Sequence, residues 1–279
     1  MGLMGSGIAQ LAASRGFDVK GLDVTQEKVE EGIQRIEDGL KRFKEKGAVL
    51  KRIQGTRDLT MLLNCDVLIE AMIEDENAKK ETISRLAQVG YQGLFASNTS
   101  SISITRLASA SPWPEKFMGM HFMNPVPVQP GCELIRAFLT SDETFRRITS
   151  FCHELGKEPI LAEDRAGFGI NRMFVPFLME AVKVVEEGIM SCEDADKTTL
   201  CLGHKMGPIT TLDYVGLDTA LAIAAVLERE LGPHYKAPDL LCKLVAAGFL
   251  GMKNLKGFYL WEKGRKVGVN PAVERYRRR

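Results

Sequence analysis

Short apolar segments alternate with amphipathic helical segments in the first part of the chain, and this alternation predicts an α/β fold with a doubly wound parallel sheet. The predicted strands are residues 19–22, 65–71, 93–97, 117–120 and 155–161. From Gly167 onward, apolar residues recur at helical spacing with hardly any strand pattern. We therefore expect an α/β domain over residues 1–165 and an all-helical second domain over residues 166–279.

The predicted helices combine apolar periodicity with start or stop signals. The first helix ends at Arg15, before Gly16, and another covers residues 77–89. In the second domain Ser191 can cap a helix, and the predicted helices are residues 171–187, 192–201, 218–231 and 239–247. Helical domains of this kind often pair through apolar faces, so we expect a homodimer that forms through the second domain.

Composition and charge exclude several classes of function. With 45% hydrophobic and 26% charged residues, the 279-residue chain has the composition of an ordinary globular protein. Its net charge is +1, so no global field draws it to nucleic acid or to a membrane surface. The scattered cysteines include no Cys-x-x-Cys pair and fit neither a metal site nor a disulfide framework. We expect a cytoplasmic protein with no metal, membrane or nucleic-acid partner.

Glycines open the chain in a pattern typical of phosphate-binding loops. Gly2 and Gly5, with Leu3 and Met4 between them, match the second half of the motif G-x-G-x-x-G. Without a Cβ, the middle glycine of that motif lets the backbone approach a pyrophosphate, and the last glycine lets the helix pack close to the sheet. The helix N-terminus offers unpaired N–H groups to the anion. These residues predict a Rossmann-type dinucleotide site.

Asp23 extends this prediction to a particular cofactor. It follows the predicted strand 19–22 and lies 18 residues beyond Gly5 (23 − 5), near the spacing of roughly 20 residues expected for the acid that binds the adenosine ribose. A carboxylate there accepts hydrogen bonds from the 2′ and 3′ hydroxyls and repels a 2′-phosphate. We therefore expect NAD as the cofactor; a merely flexible glycine-rich terminus is the alternative.

The first glycine of the motif and the strand before it are apparently missing from this chain. That strand is central in a doubly wound sheet, so its absence would expose the flanks of its neighbours. Two explanations stay open: either the natural chain starts further upstream, or the protein has decayed and lost its activity. The intact residues further along favour the first.

A hydroxyl-rich run, an imidazole and a carboxylate follow one another near the middle of the chain. They are residues 97–101, then His121, then Glu133 within a short apolar stretch. A hydroxyl, a titratable base and an acid that orients the base are the groups needed to move a proton off an alcohol. These residues therefore predict an enzyme.

Two of these polar residues come directly after predicted strands. Asn98 follows residues 93–97, and His121 follows residues 117–120. Open α/β sheets bind ligands at the carboxyl ends of their strands. We therefore expect Asn98 and His121 at one ligand-binding edge.

Motifs along the whole chain carry a resemblance to a known family. They are Gly2-Leu3-Met4-Gly5-Ser6-Gly7-Ile8-Ala9, Ile69-Glu70-Ala71 with Glu74, residues 96–101, residues 121–127, Asp164 with Gly167-Phe168 and Asn171-Arg172, and Met206-Gly207-Pro208 with Asp213 and residues 216–218. In these motifs the chain resembles the L-3-hydroxyacyl-CoA dehydrogenases of the 3-hydroxybutyryl-CoA type. The resemblance implies that NAD accepts a hydride while the 3-hydroxyl of an acyl-CoA is reversibly oxidised.

The resemblance also implies roles for single residues. His121 matches the catalytic base, Glu133 the carboxylate that orients it, and Ser100 and Asn171 the polar groups that hold the substrate oxygen. The cofactor contacts it implies are Gly2, Leu3, Met4, Gly5, Asp23, Glu74, Lys79, Asn98, Asn124 and Lys253. For Glu74 and Lys79 the alternative is a carboxylate in the first turn of a helix and a solvated lysine.

The chain departs from the family pattern at two places. Residues 129–132 read Gln-Pro-Gly-Cys where relatives usually carry an apolar run before Glu133, so the backbone that presents Glu133 is expected to differ. The Lys-Thr-Gly of the family appears as Lys-Asn-Leu at residues 253–255, which bears on the cofactor role of Lys253.

A basic cluster follows Asp23 at some distance, and it contains a single acid, Glu45. Its cations are Lys41, Arg42, Lys44, Lys46, Lys51 and Arg52. In similar enzymes this segment lies over bound coenzyme A, whose phosphates need cations. Lys41 and Lys44 are therefore predicted substrate contacts, and a solvated helix face is the alternative.

Two other functions stay open on the sequence alone. One is a non-catalytic protein that reuses the dehydrogenase fold. The other is a related dehydrogenase for a free hydroxy acid or sugar acid. Phe122 and Val126-Pro127 match the acyl-CoA branch and so favour an acyl-CoA substrate over a free acid.

Overall fold

A computed structural model of the protein describes residues 1–41 and 46–277. Its helices are α1 (Leu3–Ser14), α2 (Gln26–Gly39), α3 (Lys46–Lys51), α4 (Glu76–Gln88), α5 (Ile104–Ala108), α6 (Asp142–Glu154), α7 (Ile170–Glu186), α8 (Cys192–Cys201), α9 (Pro208–Val215), α10 (Leu217–Leu231), α11 (Asp239–Ala246) and α12 (Pro271–Arg277). Its strands are β1 (Val19–Leu22), β2 (Ile53–Thr56), β3 (Val67–Glu70), β4 (Leu94–Ser97), β5 (Phe117–Phe122), β6 (Gly131–Arg136), β7 (Glu158–Glu163), β8 (Tyr259–Glu262) and β9 (Arg265–Val269).

The chain divides into two compact units, Met1–Phe168 and Gly169–Arg279. The domain boundary predicted after residue 165 falls just before this division. The first unit contains α1 to α6 and β1 to β7, and the second contains α7 to α12 with β8 and β9.

The larger sheet of the first unit has the strand order β3–β4–β5–β6–β7. Strands β3, β4 and β5 are parallel, whereas β6 runs antiparallel to β5 and parallel to β7. The predicted parallel sheet is confirmed in its main part. The antiparallel strand β6 was missed, because Pro130 and Gly131 at its start interrupt the apolar pattern.

Helices cover both faces of this sheet. On one face Ile8 of α1 and Ile148 of α6 pack with Met118 of β5. On the other face Ile83 of α4 packs in a core that includes Phe117 of the same strand. Since successive side chains of a strand point to opposite faces, neighbouring residues of β5 enter different cores. This is the doubly wound arrangement that the sequence predicted.

Strands β1 and β2 form a separate parallel pair, from Val19 opposite Ile53 to Leu22 opposite Thr56. Within the ranges that the structure describes, neither strand shares a hydrogen-bonded ladder with the larger sheet. The first unit therefore has an open strand edge on β1 and another on β3.

The second unit is helical, as predicted, with a hairpin of β8 and β9 added. Buried Asp213 accepts hydrogen bonds from the backbone of Phe258 and Tyr259, both at 2.9 Å, and from Nε1 of Trp261 at 2.8 Å. The hydroxyl of Tyr259 donates to Asp196 at 2.8 Å. The expectation of helices alone is therefore wrong at β8 and β9.

Helix α7 carries the longest apolar stretch of the chain, and Glu180 and Lys183 interrupt it with an ion pair of 3.1 Å. Its side chains Val175, Leu178 and Val182 are buried. Across residues 1–41 and 46–277, no single helix is long and apolar enough to span a bilayer. The pair α9 and α10 passes that test only when both are counted together across a 98° bend.

Candidate active site

The imidazole of His121 and the carboxylate of Glu133 form the centre of the candidate site. The two residues stand opposite each other in the antiparallel ladder of β5 and β6. Opposed residues of such a ladder point to the same face with their Cβ atoms close together. Here Nδ1 of His121 lies 3.0 Å from Oε2 of Glu133. The sequence predicted this pair but not the ladder that brings it together.

The contact with Glu133 determines which nitrogen of His121 carries the proton. The Glu133 side chain is fully buried, while 12% of the His121 side chain is exposed. A carboxylate only accepts hydrogen bonds, so the neutral imidazole donates through Nδ1–H and keeps the lone pair on Nε2. The ring of Phe168 lies 6.1 Å from the imidazole, centroid to centroid. An imidazole anchored through one nitrogen in this way can act as a base through the other.

Asn98 ties the carboxyl ends of three strands together. Its backbone N–H donates to the carbonyl of Glu70 at the end of β3, at 2.8 Å. Its Oδ1 accepts from the backbone N–H of Phe122, the residue after His121, also at 2.8 Å. The side chain of Asn98 therefore fixes the end of β5 that carries His121.

The loop that carries Ser100 follows β4 and is held by the carboxylate of Glu74. Oε1 of Glu74 accepts from the hydroxyl of Thr99 at 2.6 Å and from the backbone N–H groups of Ser100 and Ser101 at 2.8 and 3.0 Å. The hydroxyls of Ser100 and Ser101 lie 3.2 and 3.0 Å from the same oxygen. One carboxylate oxygen thus accepts the hydrogen bonds that hold this turn.

A buried ion pair lies behind this carboxylate. Nζ of Lys79 is 2.7 Å from Oε1 of Glu70 and 3.4 Å from Oε2 of Glu74. The side chains of Lys79 and Glu70 are 1% and 4% exposed. The hydroxyl of Ser97 donates to the other oxygen of Glu70 at 2.6 Å. Lys79 is therefore not the solvated lysine of the alternative interpretation, and Glu74 precedes α4 rather than lying in its first turn.

The surroundings of Glu74 lower the pKa of its carboxyl group below the ordinary value. Burial raises this pKa, but the hydrogen bond from Thr99, the charge of Lys79 and the hydrogen bonds from Ser100 and Ser101 outweigh that effect. The carboxyl group is therefore ionised at neutral pH and keeps its full capacity to accept hydrogen bonds.

The backbone at the N-terminus of α1 is open at Gly2. The helix begins at Leu3, and Gly2 is its N-cap. A Cβ added to Gly2 would meet no atom within 4 Å, so the space in front of this backbone is open. The N–H groups of the first helical turn are suited to an anion there.

The close approach that the sequence assigned to Gly5 is found at Gly7 instead. A Cβ on Gly5 would meet its nearest atom, of Met1, at an ordinary 3.8 Å. A Cβ on Gly7 would lie 3.0 Å from the Cβ of Val126, which is tighter than side chains normally pack. The missing Cβ of Gly7 therefore lets α1 lie against the segment after His121.

Asp23 follows β1 at its carboxyl end, where the sequence placed it. Its Oδ1 accepts from the backbone N–H of Val24, and its Oδ2 lies 2.7 Å from the amino group of Met1. Burial raises the pKa of Asp23, but the hydrogen bonds with the Met1 amino group and with Val24 lower it by more. The pKa of Asp23 is therefore below its ordinary value. The ionised carboxylate is a hydrogen-bond acceptor of the kind that ribose hydroxyls donate to.

Three other predicted contacts lie at helix or strand ends. Asn124 is exposed after β5. In the second unit, Asn171 lies in the first turn of α7, and Nζ of Lys253 lies 2.7 Å from Asp218 at the start of α10. The binding roles of Asn124, Asn171 and Lys253 stay predictions.

Three described cations of the basic cluster have an acidic partner within a short distance. Lys41 pairs with Asp38 at 2.8 Å and is exposed. Other pairs in the cluster are Lys46 with Glu37 at 3.6 Å and Arg52 with Asp18 at 2.9 Å. Lys44 and Arg42 lie outside the described residues. The predicted contacts of Lys41 and Lys44 with the substrate stay predictions.

Two carboxylates at strand ends organise the site although no role was predicted for them. Glu70 ends β3 and binds Lys79. Asp164, just after β7, accepts from the hydroxyl of Ser103 at 2.8 Å and from the backbone N–H of Thr105 at 2.7 Å. Their position in the sequence could have indicated a role, because each carboxylate lies at or just after the carboxyl end of a strand.

The first unit has the architecture of a dinucleotide-dependent dehydrogenase. A helix N-terminus with an open glycine and a carboxylate after the neighbouring strand is the arrangement that binds dinucleotides. At the carboxyl end of β5, His121 adds an imidazole, a side chain of the kind that accepts a proton when an alcohol is oxidised. Fold and site together therefore define the class of enzyme.

Comparison with known proteins identifies the family. Residues 1–165 match the NAD binding domain of 3-hydroxyacyl-CoA dehydrogenase, and residues 167–261 match the C-terminal domain of the same enzyme. The chain belongs to the 3-hydroxyacyl-CoA dehydrogenase family.

Three similar proteins illustrate the relation. A probable 3-hydroxybutyryl-CoA dehydrogenase of Deinococcus radiodurans is 46% identical over 268 residues, covering 92% of this chain and 96% of the relative. The crystal structure of FadB2 from Mycobacterium tuberculosis matches with a TM-score of 0.91 at 38% identity. That of (S)-3-hydroxybutyryl-CoA dehydrogenase PaaH1 from Ralstonia eutropha matches with a TM-score of 0.89, also at 38% identity. Each of these two matches covers 94% of this chain and 96% of the other.

These similarities test several of the predictions made from the sequence. They confirm the predicted family, the Rossmann-type unit followed by a helical unit, and NAD as the cofactor. Of the functions that the sequence left open, they support the NAD-dependent oxidation of a 3-hydroxyacyl-CoA.

Proposed function

We propose that this chain reversibly oxidises short-chain L-3-hydroxyacyl-CoA, with 3-hydroxybutyryl-CoA as a substrate and His121 as the general base. The observation that carries the proposal is the 3.0 Å contact between Nδ1 of His121 and the fully buried Glu133. The names of the relatives from Deinococcus radiodurans and Ralstonia eutropha support the substrate class.

The residues of this chain account for the proton in the proposed reaction. NAD, when bound, accepts the hydride that leaves C3 of the substrate. Nε2 of His121 takes the proton of the 3-hydroxyl as the C–O single bond becomes a carbonyl. Glu133 stabilises the resulting imidazolium, because its carboxylate lies beside Nδ1–H. In the reverse direction the imidazolium returns the proton.

Other residues are proposed to bind and orient. Ser100 and Asn171 hold the substrate oxygen by hydrogen bonds whose strength follows the charge on that oxygen. Gly2 and the N-terminus of α1 hold the pyrophosphate of the cofactor, and Asp23 holds its adenosine ribose.

The activity is tested by following NADH absorbance with acetoacetyl-CoA as the substrate. We expect NADH to be consumed with acetoacetyl-CoA and not with free acetoacetate at the same concentration. Consumption with the free acid alone would indicate the related class of hydroxy-acid dehydrogenases. Absence of turnover with both, at measurable NADH binding, would indicate a non-catalytic protein. A series of acyl chains of increasing length then defines the substrate range.

Lys41 and Lys44 are proposed to contact the phosphates of coenzyme A. Charge reversal at both positions should raise the KM for acetoacetyl-CoA more than the KM for NADH, because only the first ligand would lose its cations. Steady-state kinetics in which each ligand is varied in turn measure this difference. Equal small changes in both values would indicate a solvated helix face.

We also propose a cytoplasmic homodimer that forms through the second unit. Leu200, Leu202 and Met206, at the end of α8 and after it, are exposed apolar side chains that a partner surface would cover. Light scattering on the purified protein measures the molar mass, and Leu202→Glu should shift a dimer toward monomer. The cytoplasmic location rests on the scattered cysteines.

A further inference from the structure

We infer that Lys157 is a positioning residue that fixes the β5–β6 connection, and through it the place of helix α1 relative to His121. The β5–β6 connection is the segment 123–130. It follows the strand that carries His121 and leads into the strand that carries Glu133. The inference rests on the proposed roles of His121 as the base and of α1 in binding the cofactor.

The amino group of Lys157 holds the β5–β6 connection at two points. Lys157 lies between α6 and β7 and is 5% exposed. Its Nζ donates to the backbone carbonyl of Val126 at 2.6 Å and to that of Gln129. Within the connection, the backbone N–H groups of Val128 and Gln129 both donate to the carbonyl of Pro125 at 3.0 Å. One side chain from outside the connection therefore closes a turn that its own backbone already bends.

The burial of Lys157 makes these two hydrogen bonds important. Burial lowers the pKa of Lys157 below its ordinary value. A buried amino group needs strong partners, and within residues 1–41 and 46–277 no carboxylate pairs with Lys157. The carbonyls of Val126 and Gln129 are therefore the groups that offset the cost of burying it. An apolar side chain would fill the same space without that cost, so what a lysine adds here is its hold on the connection.

The β5–β6 connection packs directly against α1. Val126 is 2% exposed and lies in the same core as Ile8 of α1. A Cβ added to Gly7 of α1 would lie only 3.0 Å from the Cβ of Val126, so the helix and the connection touch closely. A displacement of Val126 would therefore be transmitted to the helix whose N-terminus is proposed to bind the pyrophosphate. Lys157 thus acts at the segment that joins the strand of His121 to the cofactor helix.

The residue after Lys157 fixes the far end of the connection. The backbone N–H of Glu158, the first residue of β7, donates to the carbonyl of Pro130 at 2.8 Å. Residues 129–132 are those at which the sequence departs from the family pattern before Glu133. Because Lys157 and Glu158 bind backbone carbonyls, their hold on this segment does not depend on which side chains it carries.

Lys157→Met tests the inference, because methionine has an apolar side chain of similar length without N–H donors. We expect kcat for acetoacetyl-CoA, expressed per NADH-binding site, to fall by roughly tenfold to a hundredfold, since a small misplacement of reacting groups lowers turnover strongly. Fluorescence titration with NADH gives the number of sites per chain, which should match wild type, and the dissociation constant, which should stay within about threefold. Expressing kcat per site prevents a partly unfolded preparation from imitating the result.

Two further variants separate positioning from general damage. In wild type, Nζ of Lys116, just before β5, donates to the carbonyl of Gln92 at 2.8 Å. Lys116→Met therefore removes the same kind of hydrogen bond at the opposite end of β5 from His121, and it should keep the wild-type kcat. Lys157→Gln keeps N–H donors on a shorter side chain and should lower kcat by less than Lys157→Met does. Thermal unfolding of all variants identifies any that are poorly folded.

Four outcomes are decisive. Wild-type kcat per NADH-binding site in Lys157→Met would overturn the inference, and the same result in Lys157→Gln would overturn it if Lys157→Met proves unfolded. Weaker NADH binding with unchanged kcat at saturation would overturn it too, because Lys157 would then affect only the binding of the cofactor. So would an equal loss of kcat in Lys116→Met. If wild type consumes no NADH with acetoacetyl-CoA, the proposed function itself has failed.

Discussion

At the scale of single residues, the site depends on carboxylates that accept hydrogen bonds from neighbouring groups. Glu133 orients His121 from a position with no exposed surface, and Glu74 gathers the turn that carries Ser100. The sequence predicted the residue types His121, Glu133 and Ser100, because their chemistry is specific. It could not predict that Lys79 faces Glu70, since an ion pair nine residues apart depends on how α4 packs against β3.

Glu133→Gln tests the role of the orienting carboxylate. The amide keeps the size of the side chain but loses the charge that stabilises imidazolium, so kcat should fall by roughly tenfold to a thousandfold. Steady-state kinetics at saturating NADH and acetoacetyl-CoA measure this. Glu143→Gln, an exposed change on α6, is the matched control and should behave as wild type. Equal activity of both variants would remove Glu133 from the mechanism.

At the scale of elements, helices with a strong apolar periodicity were predicted well, whereas a strand whose pattern is interrupted was missed. The helices at residues 77–89 and 171–187 begin and end within a residue of α4 and α7. Strand β6 was missed because Gly131 and Pro130 break its pattern, and its antiparallel direction depends on long-range pairing with β5. That direction is what places Glu133 opposite His121. The geometry of the site therefore rests on a strand that local patterns did not reveal.

The start of α5, just after the Ser100 loop, offers a prediction at this scale. Asp164 accepts hydrogen bonds from Ser103 and from the backbone of Ile104 and Thr105. Asp164→Ala leaves these donors without that partner and should lower the free energy of unfolding by about 1–2 kcal/mol. Urea unfolding measures the change. Ser109→Ala, at the other end of α5, should lower the free energy of unfolding much less. Equal losses of stability in the two variants would show that the hydrogen bonds of Asp164 do not stabilise the start of α5.

At the scale of the whole molecule, the first unit divides its strands between a five-stranded sheet and a separate pair. The larger sheet from β3 to β7 carries His121, Glu133 and Asn98, while the separate pair of β1 and β2 carries Asp23. The residues proposed to handle the proton therefore lie on the five-stranded sheet. The predicted ribose carboxylate follows the carboxyl end of β1 on the separate pair.

The charge on Glu74 makes the stability of the molecule depend on pH in a defined direction. Its pKa in the folded protein lies below the ordinary value of 4.5, so its contribution is present above that value and is lost as the pH falls through the lowered pKa. Wild type should therefore be more stable than Glu74→Gln at neutral pH, and the difference should shrink in acid. Urea unfolding of both proteins from neutral to acidic pH tests this. A difference that grows in acid would contradict the lowered pKa.

The central claim is that His121 transfers the proton in an NAD-dependent oxidation of a 3-hydroxyacyl-CoA. The most direct measurement compares the turnover of wild type and His121→Ala with acetoacetyl-CoA and NADH, together with the dissociation constant of NADH. The account predicts that the variant loses roughly 10²–10⁴ in turnover, as expected for a proton-transfer residue, and binds NADH as wild type does. Near-normal turnover of His121→Ala would contradict it.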